Sequence, residues 1–207
     1  SQSHQPPVTL IAVSKTRPPE QLRSIHQYGQ KDFGENYVQE SIEKIVELKN
    51  LDITWHFIGK IQSNKSKYIA ENFDWIHSID KISTLKKIND FRKNVEEKLN
   101  VCVQVNIDSE DSKSGIPVDE VEDFLIKAGK FEKLKIRGLM AIPMYHSDYD
   151  SQYKTFAKIK NLFDSLIKKN FKLDTLSIGM SSDYNAAIEA GSTIVRIGTS
   201  IFGERKK

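Results

Sequence analysis

Leu10-Ile11-Ala12-Val13-Ser14-Lys15-Thr16-Arg17-Pro18-Pro19 holds a strand, a turn and a helix start in one short stretch. The apolar run Leu10 to Val13 is rich in β-branched residues and reads as a strand that closes on Ser14 and Lys15. Two prolines suit the first turn of a helix, whose leading N–H groups have no intrahelical partner. Leu22, Ile25 and Tyr28 follow at helical spacing, and Gly29 supplies the stop. The unit is strand, loop, helix, with a lysine at the carboxyl end of the strand.

The same unit repeats along the chain. Lys31-Asp32-Phe33-Gly34 reads as a second strand, with Val38, Ile42, Ile45 and Val46 on one helical face after it. Thr54 to Ile58 is a strand, and Ser63 is a candidate N-cap for a helix running to Asn72. Trp75 to Ser78 is a strand, and Ile82, Leu85, Ile88, Val95 and Leu99 predict a longer helix. Val101 to Ile107 is the clearest strand. Pro117 opens a helix holding Val121, Phe124 and Leu125. Ile136 to Ile142 is a strand, and Tyr153, Phe156, Ile159, Phe163 and Leu166 line a helix. Thr175 to Ile178, a helix over 183–190 and Thr193 to Ile197 complete the pattern. About eight strands separated by helices imply a parallel sheet, and in this length a closed (β/α)₈ TIM-type barrel.

The bulk composition agrees with one such domain over 1–207 and excludes several classes. The 207 residues are tight for two domains, and 38% hydrophobic with 29% charged residues is ordinary for a globular protein. The net charge of +3 is spread along helices, densest at Arg205-Lys206-Lys207, and is not gathered as a nucleic-acid binder gathers it. No run approaches the length of a membrane span. The opening Ser1-Gln2-Ser3-His4-Gln5-Pro6-Pro7 has no apolar signal core and leads almost directly into a strand, so part of the natural N-terminus is expected to be missing. The single cysteine, Cys102, reads as a buried core thiol, and its solitude suits a reducing, cytoplasmic setting.

In such a barrel the site lies at the carboxyl ends of the strands. Lys15 stands there. Partial desolvation disfavours an ammonium, and a neutral amine forms Schiff bases with aldehydes. Gly179-Met180-Ser181-Ser182-Asp183 follows the seventh strand and Arg196-Ile197-Gly198-Thr199-Ser200 the eighth. Loops at these two places form the common phosphate site of the fold. Ser181, Gly198 and Thr199 are the expected donors. Arg196 keeps its charge wherever it is placed and, facing a pyridine nitrogen, would leave that nitrogen unprotonated. Asn36, in Gly34-Glu35-Asn36-Tyr37, is placed to bond ring substituents, with Glu35 a structural partner. His56 reads as a satisfied core histidine. No spacing of His, Cys and carboxylates suggests a metal. The loop Asp108 to Gly115 reads as a solvated connection. On these grounds alone a Schiff-base aldolase and a pyridoxal phosphate protein both remain open.

Taken in order, Ile11-Ala12-Val13-Ser14-Lys15-Thr16, Phe33-Gly34-Glu35-Asn36-Tyr37, Trp55-His56-Phe57-Ile58-Gly59, Ser112-Lys113-Ser114-Gly115, Gly138-Leu139-Met140-Ala141-Ile142-Pro143, Leu176-Ser177-Ile178-Gly179-Met180-Ser181, Val195-Arg196-Ile197-Gly198-Thr199 and Ile201-Phe202-Gly203 resemble the YggS/PROSC group, the pyridoxal phosphate homeostasis proteins. The resemblance covers essentially the whole chain. It implies the alanine racemase N-terminal barrel, with pyridoxal 5′-phosphate held as a Schiff base on Lys15. It also implies a phosphate on Ser181 and the backbone of Gly198 and Thr199, Arg196 at the pyridine nitrogen and Asn36 near the ring. The implied role is cofactor homeostasis, with delivery to apo-enzymes as a further step. Members usually carry a helix before the first strand, of which at most a stub is expected here.

A cofactor carrier without catalytic turnover is preferred over an amino-acid racemase. Racemisation needs acid–base groups on both faces of the α-carbon, and the racemases this barrel resembles take one of them from a second domain. An aldolase would want a nearby proton shuttle, for which Glu35 is the convenient candidate. Lys113 is a candidate for transient contact with the aldehyde. A monomer is expected.

Overall fold

A computed structural model describes residues 7–108 and 114–204. In chain order these residues form β1 (Thr9–Val13), α1 (Pro19–Gln27), β2 (Asp32–Glu35), α2 (Val38–Glu47), β3 (Thr54–Phe57), α3 (Ser66–Asn72), β4 (Trp75–Ile79) and α4 (Ile82–Phe91). They continue with β5 (Leu99–Asn106), β6 (Ile116–Pro117), α5 (Val121–Ala128), β7 (Leu134–Met140), α6 (Tyr149–Lys168), β8 (Thr175–Ser177), α7 (Tyr184–Ala190), β9 (Ile194–Ile197) and α8 (Thr199–Phe202).

Every strand pairing is parallel. The order β4-β3-β2-β1-β9-β8-β7-β5 closes through a β4–β5 pairing. The result is an eight-stranded TIM barrel, and the short β6 lies outside the ring, paired among the described residues to β5 alone. The eight expected strands are all present.

Period-two alternation sorts β5 onto two sides of the wall. Val101, Val103 and Val105 join the large apolar cluster with Phe33, Phe57, Ile76 and Leu139. Leu22, Leu85, Ile88, Phe156 and Ile159 from the helices belong to the same cluster. Each such fully buried side chain contributes about 2 kcal/mol of hydrophobic stabilisation. Cys102 and Gln104, the alternate residues, stay outside that cluster although both are buried. Cys102 is the buried thiol that was expected, and burial pushes it up to about 12. The barrel interior is therefore the more polar compartment, and the apolar mass lies between sheet and helices.

Some boundaries differ from the sequence reading. The helix expected to run from Ile82 to Leu99 ends at Phe91, passes through a 3₁₀ turn over Arg92–Asn94, and leaves Leu99 to start β5. Leu99 is fully buried in the strand, so its apolar signal came from sheet packing. Ser63 is not an N-cap but the first residue of a 3₁₀ turn, and its hydroxyl accepts from Lys87 Nζ at 2.6 Å. Pro117 lies in β6, and the helix after it starts at Val121. Lys113, most of the Asp108–Gly115 loop and the basic tail Arg205-Lys206-Lys207 lie outside the described residues.

Candidate functional site

Lys15 lies two residues beyond the end of β1, after Ser14, and is partly buried. The next residue, Thr16, has φ 64°, a left-handed conformation that a β-branched residue rarely adopts. Strain of that kind is held only where surrounding structure dictates it. Here the Thr16 N–H donates to Glu40 Oε1 at 2.6 Å. Glu40 also accepts from Lys44 Nζ at 2.6 Å, so α2 braces the turn that presents Lys15.

Lys15, Asn36, Ser181, Arg196, Gly198 and Thr199 all line one cleft of about 420 Å³. They come from the ends of β1, β2, β8 and β9, which barrel closure makes neighbours. Arg17, Ile58, Ile142 and Met180 share the wall. The loops after β8 and β9 meet directly, with the Gly198 N–H 3.4 Å from Ser181 Oγ. The turn leaving β8 requires a glycine. Gly179 has φ +98°, and a Cβ there would stand 2.6 Å from the Cβ of Ala187. Asp183 Oδ1 accepts from the Met180 N–H at 2.7 Å, shaping the loop that carries Ser181. Thr199 opens α8, so first-turn amides lie beside the Ser181 hydroxyl. That gathering of donors suits an anion.

Arg196 is almost fully buried. Its Nη1 donates to Ser177 Oγ at 2.6 Å and its Nη2 to the Ala141 carbonyl at 3.2 Å. Burial lowers it to about 10, so it remains a cation at neutral pH. Asn36 borders the same cleft, and its Oδ1 is a buried acceptor without a hydrogen-bond partner among the described residues. A buried amide oxygen in that state is costly unless a ligand donor meets it.

Glu35 does not line the cleft. It is fully buried beside β1, where Oε1 accepts from Lys44 Nζ at 2.6 Å and from Ser14 Oγ at 3.2 Å. This is the structural partnership that was expected for it, and it removes the proton shuttle that an aldolase would need. His56 is a buried core residue bonded to Asp32 and His77.

Sequence reasoning missed Arg17, whose Nη2 donates to the Gly203 carbonyl at 2.6 Å and which adds a cation to the cleft wall. Its place two residues after Lys15 was the available signal. It also missed Lys44, which in sequence is an unremarkable position on an amphipathic helix. Among the described residues no cluster of His, Cys, Asp and Glu is arranged to hold a metal ion. None of the described helices is long and apolar enough to cross a membrane.

A family model described as the alanine racemase N-terminal domain matches residues 1–206. The pyridoxal phosphate homeostasis protein of Escherichia coli (strain K12) is 46% identical over 201 residues, covering 96% of this chain and 86% of that protein. The protein of the same description from Vibrio alginolyticus is 48% identical over 202 residues, covering 96% and 87%. The solved structure of PipY from Synechococcus elongatus with PLP bound superposes with a TM-score of 0.88 at 36% identity, covering 98% of this chain and 96% of that one. Alanine racemase from Clostridium difficile shares the fold, with a TM-score of 0.76 at 16% identity over 53% of its chain.

Proposed function

We propose, for a chain that belongs to the alanine racemase N-terminal-domain family and within it to the pyridoxal phosphate homeostasis proteins, that the cleft binds pyridoxal 5′-phosphate through Lys15 and serves cofactor homeostasis. The observation that carries this reading is the convergence of Lys15, Asn36, Arg196 and the Ser181/Gly198 loops on one cleft. Their chemistry fits the group. The Lys15 amine is the nucleophile for an aldehyde. The unpartnered Asn36 Oδ1 accepts from a ring hydroxyl. The Ser181 hydroxyl and the amides of Gly198 and Thr199 hold the phosphate, with Arg17 balancing its charge. When bound, the cofactor supplies a reactive aldehyde and an electron-accepting ring. Arg196, a permanent donor, keeps the ring nitrogen unprotonated, which restrains that electron sink and suits storage better than turnover.

The closely related proteins are described by homeostasis, and PipY is a member solved with PLP. The racemase likeness is one of fold, at 16% identity. Delivery of the cofactor to apo-enzymes in the cytoplasm is the corresponding physiological step. A visible absorption spectrum of the protein with added pyridoxal phosphate tests the reading. A yellow band that borohydride traps on Lys15, absent in Lys15→Ala, is the expected result. A colourless protein that binds the aldehyde no better than the variant overturns it. Turnover of D- or L-amino acids by the loaded protein would restore the racemase alternative.

A further inference from the structure

Behind the cleft, a continuous hydrogen-bond chain passes through the barrel. Asp32 Oδ1 lies 2.8 Å from His56 Nε2, and His56 Nδ1 lies 2.9 Å from His77 Nε2. His77 Nδ1 lies 2.8 Å from Ser177 Oγ, which accepts from Arg196 Nη1 at 2.6 Å. The His77–Ser177 step joins β4 to β8, strands that are not neighbours in the wall. It therefore spans the interior. His56, His77, Ser177 and Arg196 are all buried, and Asp32 opens β2 at its amino-terminal end, partly exposed.

The ends of the chain dictate its direction. A carboxylate only accepts and a guanidinium only donates. Burial holds both imidazoles below the ordinary histidine range, so each ring carries one proton. His56 gives its Nε2–H to Asp32, which leaves Nδ1 bare to accept from His77 Nε2–H. The bare His77 Nδ1 takes the Ser177 hydroxyl proton. The Ser177 lone pairs then face Arg196. One arrangement satisfies every partner, and it presents an acceptor to the arginine. Buried cations normally have a partner of opposite charge. Among the described residues no carboxylate forms an ion pair with Arg196; Asp183 acts on it only through space, and the anion that ends the hydrogen-bond chain is Asp32.

We propose that Asp32, His56, His77 and Ser177 are positioning residues for Arg196, fixing the plane of its guanidinium beside the cleft. The Ala141 carbonyl on Nη2 supplies the second anchor. The proposal rests on the pyridoxal phosphate reading for what the guanidinium faces. The ring nitrogen then meets a donor locked in orientation and still protonated at neutral pH.

The experiment uses ¹⁵N-labelled whole protein, first without cofactor. Both rings are expected to carry Nε2–H with bare Nδ1, and the Arg196 guanidinium is expected to rotate slowly enough for separate Nη–H signals. Ser177→Ala should collapse those signals while the melting transition remains cooperative, which a purely structural role would not do. Asp32→Ala, at a partly exposed position, carries the same test if Ser177→Ala does not fold. With pyridoxal phosphate added, Ser177→Ala should still be trapped on Lys15 by borohydride, but with a shifted band and a dissociation constant raised about five- to tenfold. A proton on either Nδ1, or guanidinium signals indifferent to both variants, overturns the proposal. So does unchanged affinity with an unchanged band. If the wild-type protein forms no Lys15 adduct, the cofactor reading falls, and the cofactor-free spectra still decide whether the chain holds Arg196.

Discussion

The Lys44 ammonium donates to the backbone carbonyl of Ser14 at 2.7 Å, and Ser14 immediately precedes Lys15. The same ammonium pairs with Glu35 and Glu40, and it is almost wholly buried. A helix that reads as a simple amphipathic element thus reaches under the end of the strand that leads to Lys15.

Breaking a buried ion pair by removing one partner leaves an uncompensated charge. Lys44→Met is expected to cost about 3 kcal/mol. Adding Glu35→Gln should recover a substantial part, because both buried charges are then gone and only the partly exposed Glu40 is left without its cation. Urea denaturation of the two single variants and the double variant measures the coupling. Strict additivity would contradict a shared buried pair.

Glu35 has an unusual pH signature. Burial pushes its carboxyl up to about 7, outweighing the opposing pull of Lys44. The folded state then holds the proton more tightly than the unfolded chain, whose carboxyl lies near 4.5. This contribution to stability is full below about 4.5, falls as pH rises, and is exhausted above about 7. The stability of wild type minus that of Glu35→Gln should decline across that window and be flat beyond it. Denaturation midpoints at a series of pH values give the curve, and a difference that rises with pH would refute the assignment.

Burial lowers His56 and His77, so their sign is opposite. As pH falls through the ordinary histidine range, the unfolded chain takes up protons that the folded barrel refuses. Stability from this pair is present above about 6.5 and is lost as pH falls. An NMR titration of the folded protein should show neither ring protonating as pH passes down through 6.5.

Gly179 meets two constraints at once, a positive φ and a neighbouring methyl carbon. Gly179→Ala is expected to cost about 2 kcal/mol and to disturb the Ser181 loop. A lower melting temperature accompanied by weaker cofactor retention is the expected pair of results. A melting temperature equal to wild type would mean that the turn relaxes freely.

Ser181→Ala removes one hydroxyl from the proposed phosphate cradle and little else. Pyridoxal phosphate affinity should fall about tenfold or more, since a bond to a charged group is lost. Affinity for pyridoxal, which lacks the phosphate, should hardly change. Absorbance titration with both aldehydes separates the two cases.

The barrel was legible in the chain because its signals are local. Alternation over Val101–Val105, the prolines before α1 and the glycine after it depend on near neighbours in sequence. So do the lysine closing β1 and the small hydroxylated residues after β8 and β9, which is why Lys15, Ser181, Gly198 and Thr199 could be singled out before any geometry. Leu99 shows the limit. Its apolar character fitted a helix as well as a strand until sheet packing decided.

Only the tertiary structure could decide which polar groups meet inside the barrel. His77 and Ser177 lie a hundred residues apart and touch because β4 and β8 face one another across a closed wall. Lys44 reads as a surface cation until α2 packs onto β1 and β2, where burial makes its partners obligatory. Periodicity reports which face of an element turns away from water. It carries no information about which distant face it turns toward, and that choice is made by closure of the ring.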